Sequence, residues 1–119
     1  MSEASTRPSG DLDRRLAAVR LAVFDVDGTL TDGRVTYVGG EEQQSFCGRD
    51  GSALARLAEA GIAQVWITGR GCAATERRAK GLGVTQLLSG VRDKAQALAK
   101  VQAELGVSAA ETLAMGDDL

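Results

Sequence analysis

Short apolar runs that alternate with helical patterns constrain this chain more than any other feature of it. LAVFDV (21–26) is a continuous apolar run of strand length and IAQVWIT (62–68) reads as a second buried strand, as expected for strands covered on both faces. VTQLLSG (84–90) and ETLAMGDDL (111–119) add two further strand-like runs. Between these runs lie DGSALARLAEAG (50–61), CAATERRAKGLG (72–83) and DKAQALAKVQAELG (93–106), with apolar residues at helical spacing and a glycine at each end point. The last of them is the most regular amphipathic pattern in the chain. Strand and helix in this alternation predict right-handed β-α-β units and a parallel sheet.

The remaining segments fit around that frame. MSEASTRPSG (1–10) holds the only proline and no apolar period, which predicts a disordered tail before one domain over 11–119. DLDRRLAAVR (11–20) reads as a short helix with Asp11 as N-cap. RVTYV, GGEE and QQSF (34–46) read as strand, glycine turn and strand, a hairpin inserted after the first parallel strand. Asp50 is the expected N-cap of the following helix, with Gly61 just beyond its end. Trp66 sits inside an apolar strand run and is expected in the core.

Composition removes whole classes of function. A chain of 119 residues with 44% hydrophobic and 25% charged content holds one globular domain. Lys+Arg 14 against Asp+Glu 16 leaves a net charge of -2 with the signs mixed, so no basic face for nucleic acid or acidic membrane is expected. No signal-peptide core or spanning run is visible, and a cytoplasmic location is the expectation. The 2 cysteines, Cys47 and Cys72, are far apart and are expected to be small buried hydrophobes rather than a disulfide or zinc site. A histidine count of 0 excludes imidazole bases, Ser-His-Asp triads and His-ligated metals. Chemistry in this chain has to run on carboxylates, lysine and hydroxyls.

Those groups stand at the expected carboxyl ends of the strands, where open parallel sheets place their ligand sites. Asp25 and Asp27 end the first strand, Thr68 and Gly69 the second, Lys94 follows the third, and Asp117 and Asp118 end the fourth. Carboxylates brought together repel unless a cation is bound, and an all-oxygen donor set favours Mg2+. One carboxylate can attack phosphorus while its neighbour carries the proton. Thr68, the Gly69 amide and Lys94 would then face the phosphoryl oxygens. Read singly, these residues are ordinary: Thr68-Gly69 suits a turn, Lys94 an exposed first helical turn, and Arg49 and Asp50 a helix start. Order along the chain is what joins them.

DVDGTLTDG (25–33), WITGR (66–70), RDK (92–94) and MGDD (115–118) resemble, in this order, the four motifs of the haloacid dehalogenase superfamily of phosphatases. The resemblance runs from about Arg20 to the last residue. It implies a Rossmann-like three-layer α/β/α sandwich, and the short hairpin in place of an inserted domain is similar to the capless branch. Together with RDG (49–51), these pieces resemble the members that hydrolyse phosphorylated keto-sugar acids, enzymes of lipopolysaccharide precursor synthesis. The resemblance implies Asp25 as nucleophile, Asp27 as acid/base, and Thr68, Gly69 and Lys94 as phosphate ligands. It further implies Mg2+ held by Asp25, the Asp27 carbonyl and Asp117, substrate binding by Arg70 and Arg78, and a homotetramer built through the 34–46 hairpin. Relatives continue past the fourth motif, so the resemblance implies a C-terminally incomplete domain whose final strand and helices are missing, with uncovered apolar sheet surface. Alternatives are a phosphatase for a nine-carbon keto-acid phosphate, an inactive assembly module, or a phosphoacceptor signalling domain. The last is disfavoured because VTQLL (84–88) lacks the aspartate such a domain needs.

Overall fold

The structure is a computed structural model and describes residues 10–116. The expected tail therefore lies outside the described residues except for Gly10, which already opens helix α1 (Gly10–Ala17). Asp11 is thus inside the first helical turn rather than its N-cap, and it pairs at the surface with Arg15 at 3.2 Å. Strand β1 (Leu21–Asp25) follows, then a π-type turn over Val26–Leu30 that gives way to the hairpin strands β2 (Thr36–Val38) and β3 (Glu41–Gln43). Helix α2 (Gly48–Glu59), β4 (Ala63–Ile67), α3 (Ala73–Gly81), β5 (Gln86–Leu88), α4 (Lys94–Leu105), a 3-10 turn (Ala109–Glu111) and β6 (Thr112–Met115) complete the order.

The four main strands form one parallel sheet in the order β5-β4-β1-β6, and the hairpin is a separate antiparallel pair. The chain builds outward from β1 through β4 to β5, then crosses back to place β6 on the other side of β1. This reversal makes the carboxyl end of β1 a topological switch point, where flanking loops diverge and leave a crevice.

Period-2 alternation along the strands divides the core into two layers. Ala22, Phe24 and Trp66 face one side and pack with Val26, Leu30, Leu54 and Ala79, beneath α2 and α3. Leu21, Val23, Val65 and Ile67 face the other side, against Val101 of α4 and Val107. The expected helix-sheet-helix sandwich is therefore present. Trp66 is fully buried and stacks on Phe46, with centroids 6.0 Å apart. Gln64 is the polar exception in β4: its Nε2 donates to the Leu54 carbonyl and ties α2 to the sheet.

Local boundaries depart from expectation where no side chain dictates them. Helix α2 begins at Gly48 with Cys47 as N-cap, so Asp50 lies in the first turn. There its charge still complements the helix N-terminus, which is the physical content of the acidic signal. The hairpin turn is Gly39-Gly40 alone, with φ of 59° and 84°. Glu41 and Glu42 accordingly belong to β3, because a two-residue turn with both φ positive matches strand twist. Neither cysteine is fully buried: Cys47 is exposed and Cys72 half-buried, and both are free thiols. Their loop and helix-start positions, rather than strand positions, keep them out of both core layers.

Sheet-edge β6 is held at its start by Arg20, whose backbone N–H donates to the Glu111 carbonyl. The Glu111 carboxyl accepts from the Ser108 N–H and Oγ, and these bonds, before the Arg20 pairing, hold it below its ordinary pKa. A depressed folded-state value stabilises the fold above the unfolded pKa, and the contribution vanishes as pH falls through the folded one. Glu111→Gln is therefore expected to flatten the loss of thermal stability as pH falls below the ordinary glutamate pKa, measured as melting temperature against pH. In the core, Trp66→Ala is expected to cost about 3–5 kcal/mol in denaturant unfolding, whereas Trp66→Phe retains most of the stacking on Phe46.

Candidate active site

Asp25 is the last residue of β1, in register with Ile67 of β4. Period 2 puts its side chain on the α4 side of the sheet, where the first residue of α4 meets it. Lys94 Nζ donates to Asp25 Oδ1 at 2.8 Å, with side-chain exposures of 13% and 5%. Asp93 sets that meeting, since its side chain caps α4 by accepting from the Gln96 N–H at 3.0 Å. Asp25 Oδ2 has no hydrogen-bond partner among the described residues.

Beyond Asp25 the chain leaves the sheet. Asp27 has φ -70° and ψ 121°, and Gly28 has φ 80°, so the turn is not helical at these two positions. A positive φ here suits glycine and swings the Asp27 side chain back over the strand ends. Thr31, buried in this turn, accepts from the N–H groups of Gly28 and Gly33 at 3.3 and 3.1 Å. It is a residue whose structural weight no sequence signal announced. The Asp27 carboxyl is gripped on both oxygens: Thr68 Oγ1 donates to Oδ2 at 3.0 Å, and Gln44 Nε2 donates to Oδ1 at 2.7 Å.

Thr68 is fixed by two backbone bonds to the end of β5 and the loop after it, its N–H donating to the Leu88 carbonyl and its carbonyl accepting from the Val91 N–H. Its hydroxyl also accepts from the Arg70 N–H at 3.1 Å. Gly69 is exposed, and a Cβ there would lie 3.4 Å from the Val91 carbonyl oxygen. The crevice thus gathers Asp25, Asp27, Thr68, Gly69 and Lys94. Asp117 and Asp118 lie outside the described residues.

The two arginines are placed differently from one another. Arg70 extends to the hairpin, where Nη2 meets Glu42 Oε1 at 2.7 Å. Hydrogen bonding to Glu42 first and to Tyr37 second raises its already high pKa, so its charge is permanent. Arg78 of α3 is half-buried, with Nε unpartnered, and its guanidinium lies directly against Gly51 of α2, where a Cβ would overlap Nη2. No ion pair with Glu76 forms among the described residues. The half-buried Gln44 and the buried Thr75 were invisible to sequence reasoning, because a hairpin glutamine and a helix threonine carry no motif.

The donor set is oxygen-only, which suits a hard divalent cation. Each Asp27 carboxyl oxygen accepts one hydrogen bond, from Gln44 and from Thr68; the resemblance implies that it is the Asp27 backbone carbonyl that faces such an ion. Among the described residues no group of three or more His, Cys, Asp or Glu converges, and the third carboxylate expected from the sequence is Asp117.

Comparison with known proteins places this arrangement. No family model matches the chain. It is 39% identical over 111 residues to the 3-deoxy-D-manno-octulosonate 8-phosphate phosphatase KdsC of Yersinia pestis, covering 92% of this chain and 59% of that protein. The structure of 3-deoxy-D-manno-octulosonate 8-phosphate phosphatase from Moraxella catarrhalis, in complex with magnesium ion, phosphate ion and KDO, superposes with a TM-score of 0.86 at 34% identity, covering 92% of this chain and 64% of that one. The chain belongs to the haloacid dehalogenase superfamily. The cobalt-bound deoxy-D-mannose-octulosonate 8-phosphate phosphatase of Haemophilus influenzae superposes at a TM-score of 0.80 and 33% identity, over 87% of this chain and 61% of that one. Of the curated relatives from Yersinia and Haemophilus, the chain spans 59% and 60% of the length.

In this superfamily member the Asp25–Lys94 pair is a buried charge pair, and removing one partner leaves an uncompensated charge. Lys94→Met is expected to lower stability by about 3 kcal/mol in urea unfolding, and Lys94→Met with Asp25→Asn to restore most of it. A double variant no more stable than the single one would mean that the charge left on Asp25 is not the source of the loss.

Proposed function

We propose that this domain is the catalytic unit of a Mg2+-dependent phosphomonoesterase that hydrolyses 3-deoxy-D-manno-octulosonate 8-phosphate, in lipopolysaccharide precursor synthesis, through an aspartyl-phosphate. The observation that carries the reading is the pairing of two carboxyls at one strand end, one steadied by Lys94 at 2.8 Å and the other by Thr68 at 3.0 Å. Asp25 attacks phosphorus through Oδ2, the oxygen Lys94 leaves open. As the new bond forms, the phosphorus–oxygen bond to the sugar breaks, and Asp27 supplies the proton that the leaving oxygen takes up. In the second half, Asp27 takes a proton from water as that water attacks the aspartyl-phosphate, and Asp25 is regenerated. Thr68, the Gly69 amide and Lys94 face the phosphoryl oxygens.

Asp25, the Asp27 carbonyl and Asp117 would hold Mg2+, which when bound supplies positive charge against the phosphoryl group. Arg70 and Arg78 are assigned to the sugar carboxylate, for which the planar guanidinium fork is suited. Release of Arg70 from Glu42 is then part of substrate entry. We assign the enzyme to the cytoplasm, and no described helix is long and apolar enough to cross a membrane. Exposed Tyr37 and Val38 on the 34–46 hairpin support assembly into a homotetramer through that element.

Inorganic phosphate release from 3-deoxy-D-manno-octulosonate 8-phosphate tests the reading, with Mg2+ and with chelator. Release is expected only with the metal, and Asp25→Asn is expected to lower kcat by about 1000-fold or more. Asp27→Asn is expected to slow both half-reactions by about 100-fold or more while phosphate binding persists. Near-normal rates in Asp25→Asn would sink the mechanism. Faster release from a nine-carbon keto-acid phosphate would move the substrate but not the chemistry.

A further inference from the structure

Among the described residues, Gln44 is the hairpin side chain that bonds a crevice carboxyl. Gln44 follows β3 directly, and its amide bridges two elements that are distant in sequence. Nε2 donates to Asp27 Oδ1 at 2.7 Å, while Oε1 accepts from Thr75 Oγ1 at 2.5 Å and lies 3.4 Å from Cys72 Sγ. Thr75 is only 2% exposed, so its hydroxyl has little choice of partner. An amide has one accepting and one donating end. The Asp27 carboxyl, which only accepts when ionised, takes the N–H end, and a hydroxyl and a thiol, both able to donate, meet the accepting end. With Thr68 on the opposite oxygen, the Asp27 carboxyl is clamped from the hairpin and from the sheet at once.

We propose that Gln44 is a positioning residue for Asp27, and that Thr75 anchors the far end of the Gln44 amide while it does this. The inference rests on the phosphomonoesterase reading above. Gln44 bonds the Asp27 carboxyl rather than the phosphoryl group or the leaving oxygen; it holds the plane of the carboxyl that must deliver a proton to that oxygen. Misplacement by a fraction of an ångström is costly for such a group, because proton transfer needs hydrogen-bond reach. A residue that merely fastened the hairpin would affect all substrates alike. One that aims the proton donor matters when the leaving group needs a proton, as a sugar alkoxide does, and little when it does not, as with p-nitrophenolate.

The experiment compares kcat/KM, which covers only the first phosphoryl transfer, for an alkyl phosphate and for p-nitrophenyl phosphate. Gln44→Met is expected to lower it about 10- to 100-fold on the alkyl ester and about threefold or less on p-nitrophenyl phosphate. Thr75→Val is expected to move in the same direction, and Thr75→Ser to restore the wild-type ratio. Equal losses on both esters, or none on either, would overturn the proposal and leave Gln44 as a hairpin anchor. A second readout needs no turnover: the side-chain amide resonance of Gln44 is expected to shift in Asp27→Asn, and an unmoved resonance also overturns the proposal. Should wild type release phosphate from neither ester, the phosphatase reading fails, and the amide resonance alone decides the Gln44–Asp27 contact.

Discussion

A carboxyl whose side chain is only 5% exposed, at the end of a parallel sheet, demands a counter-charge, and Lys94 supplies it at 2.8 Å. That pairing couples parts of the chain 69 residues apart. It requires β1 to end where α4 begins, which the sheet order achieves by placing β4 and β5 on one side of β1 and β6 on the other. The two core layers serve the same end. Each strand presents one set of side chains to α2 and α3 and the other to α4, leaving the strand ends as the place where polar groups gather.

The hairpin is bound to this crevice by several unlike contacts. Thr31 bridges to Phe46 through the backbone, Phe46 stacks on buried Trp66, Glu42 pairs with Arg70, and Gln44 reaches Asp27. Apolar stacking anchors one end, while an exposed ion pair of the Arg70 kind is individually worth little. The hairpin is thus fixed near its root and held by exchangeable contacts farther out. That distribution leaves the outer part of the hairpin freer to move than its root.

Much of the site was legible because its chemistry is encoded in local patterns. Asp25, Asp27, Thr68 and Lys94 each follow an apolar run or open a helix, so a parallel sheet brings their positions to one edge. Helix starts were less legible: Cys47 makes no side-chain cap bond, so nothing at that position marks the N-terminus of α2. Arg78 illustrates a different limit. Whether an arginine on a helix is solvated or lies half-buried against a glycine of another helix depends on packing between α2 and α3, which periodicity does not report.

From sequence alone, the alternation of strand and helix and the residue types at strand ends determined an α/β domain with carboxylates at the carboxyl ends of its strands. The partners of those carboxyls were decided by tertiary structure. The bond from Gln44 to Asp27, and that from Thr75 to Gln44 behind it, depend on where a hairpin and a helix dock, and docking is set by side-chain packing over long sequence separations. Local patterns carry no information about a contact whose two ends are chosen by the shape of the core between them.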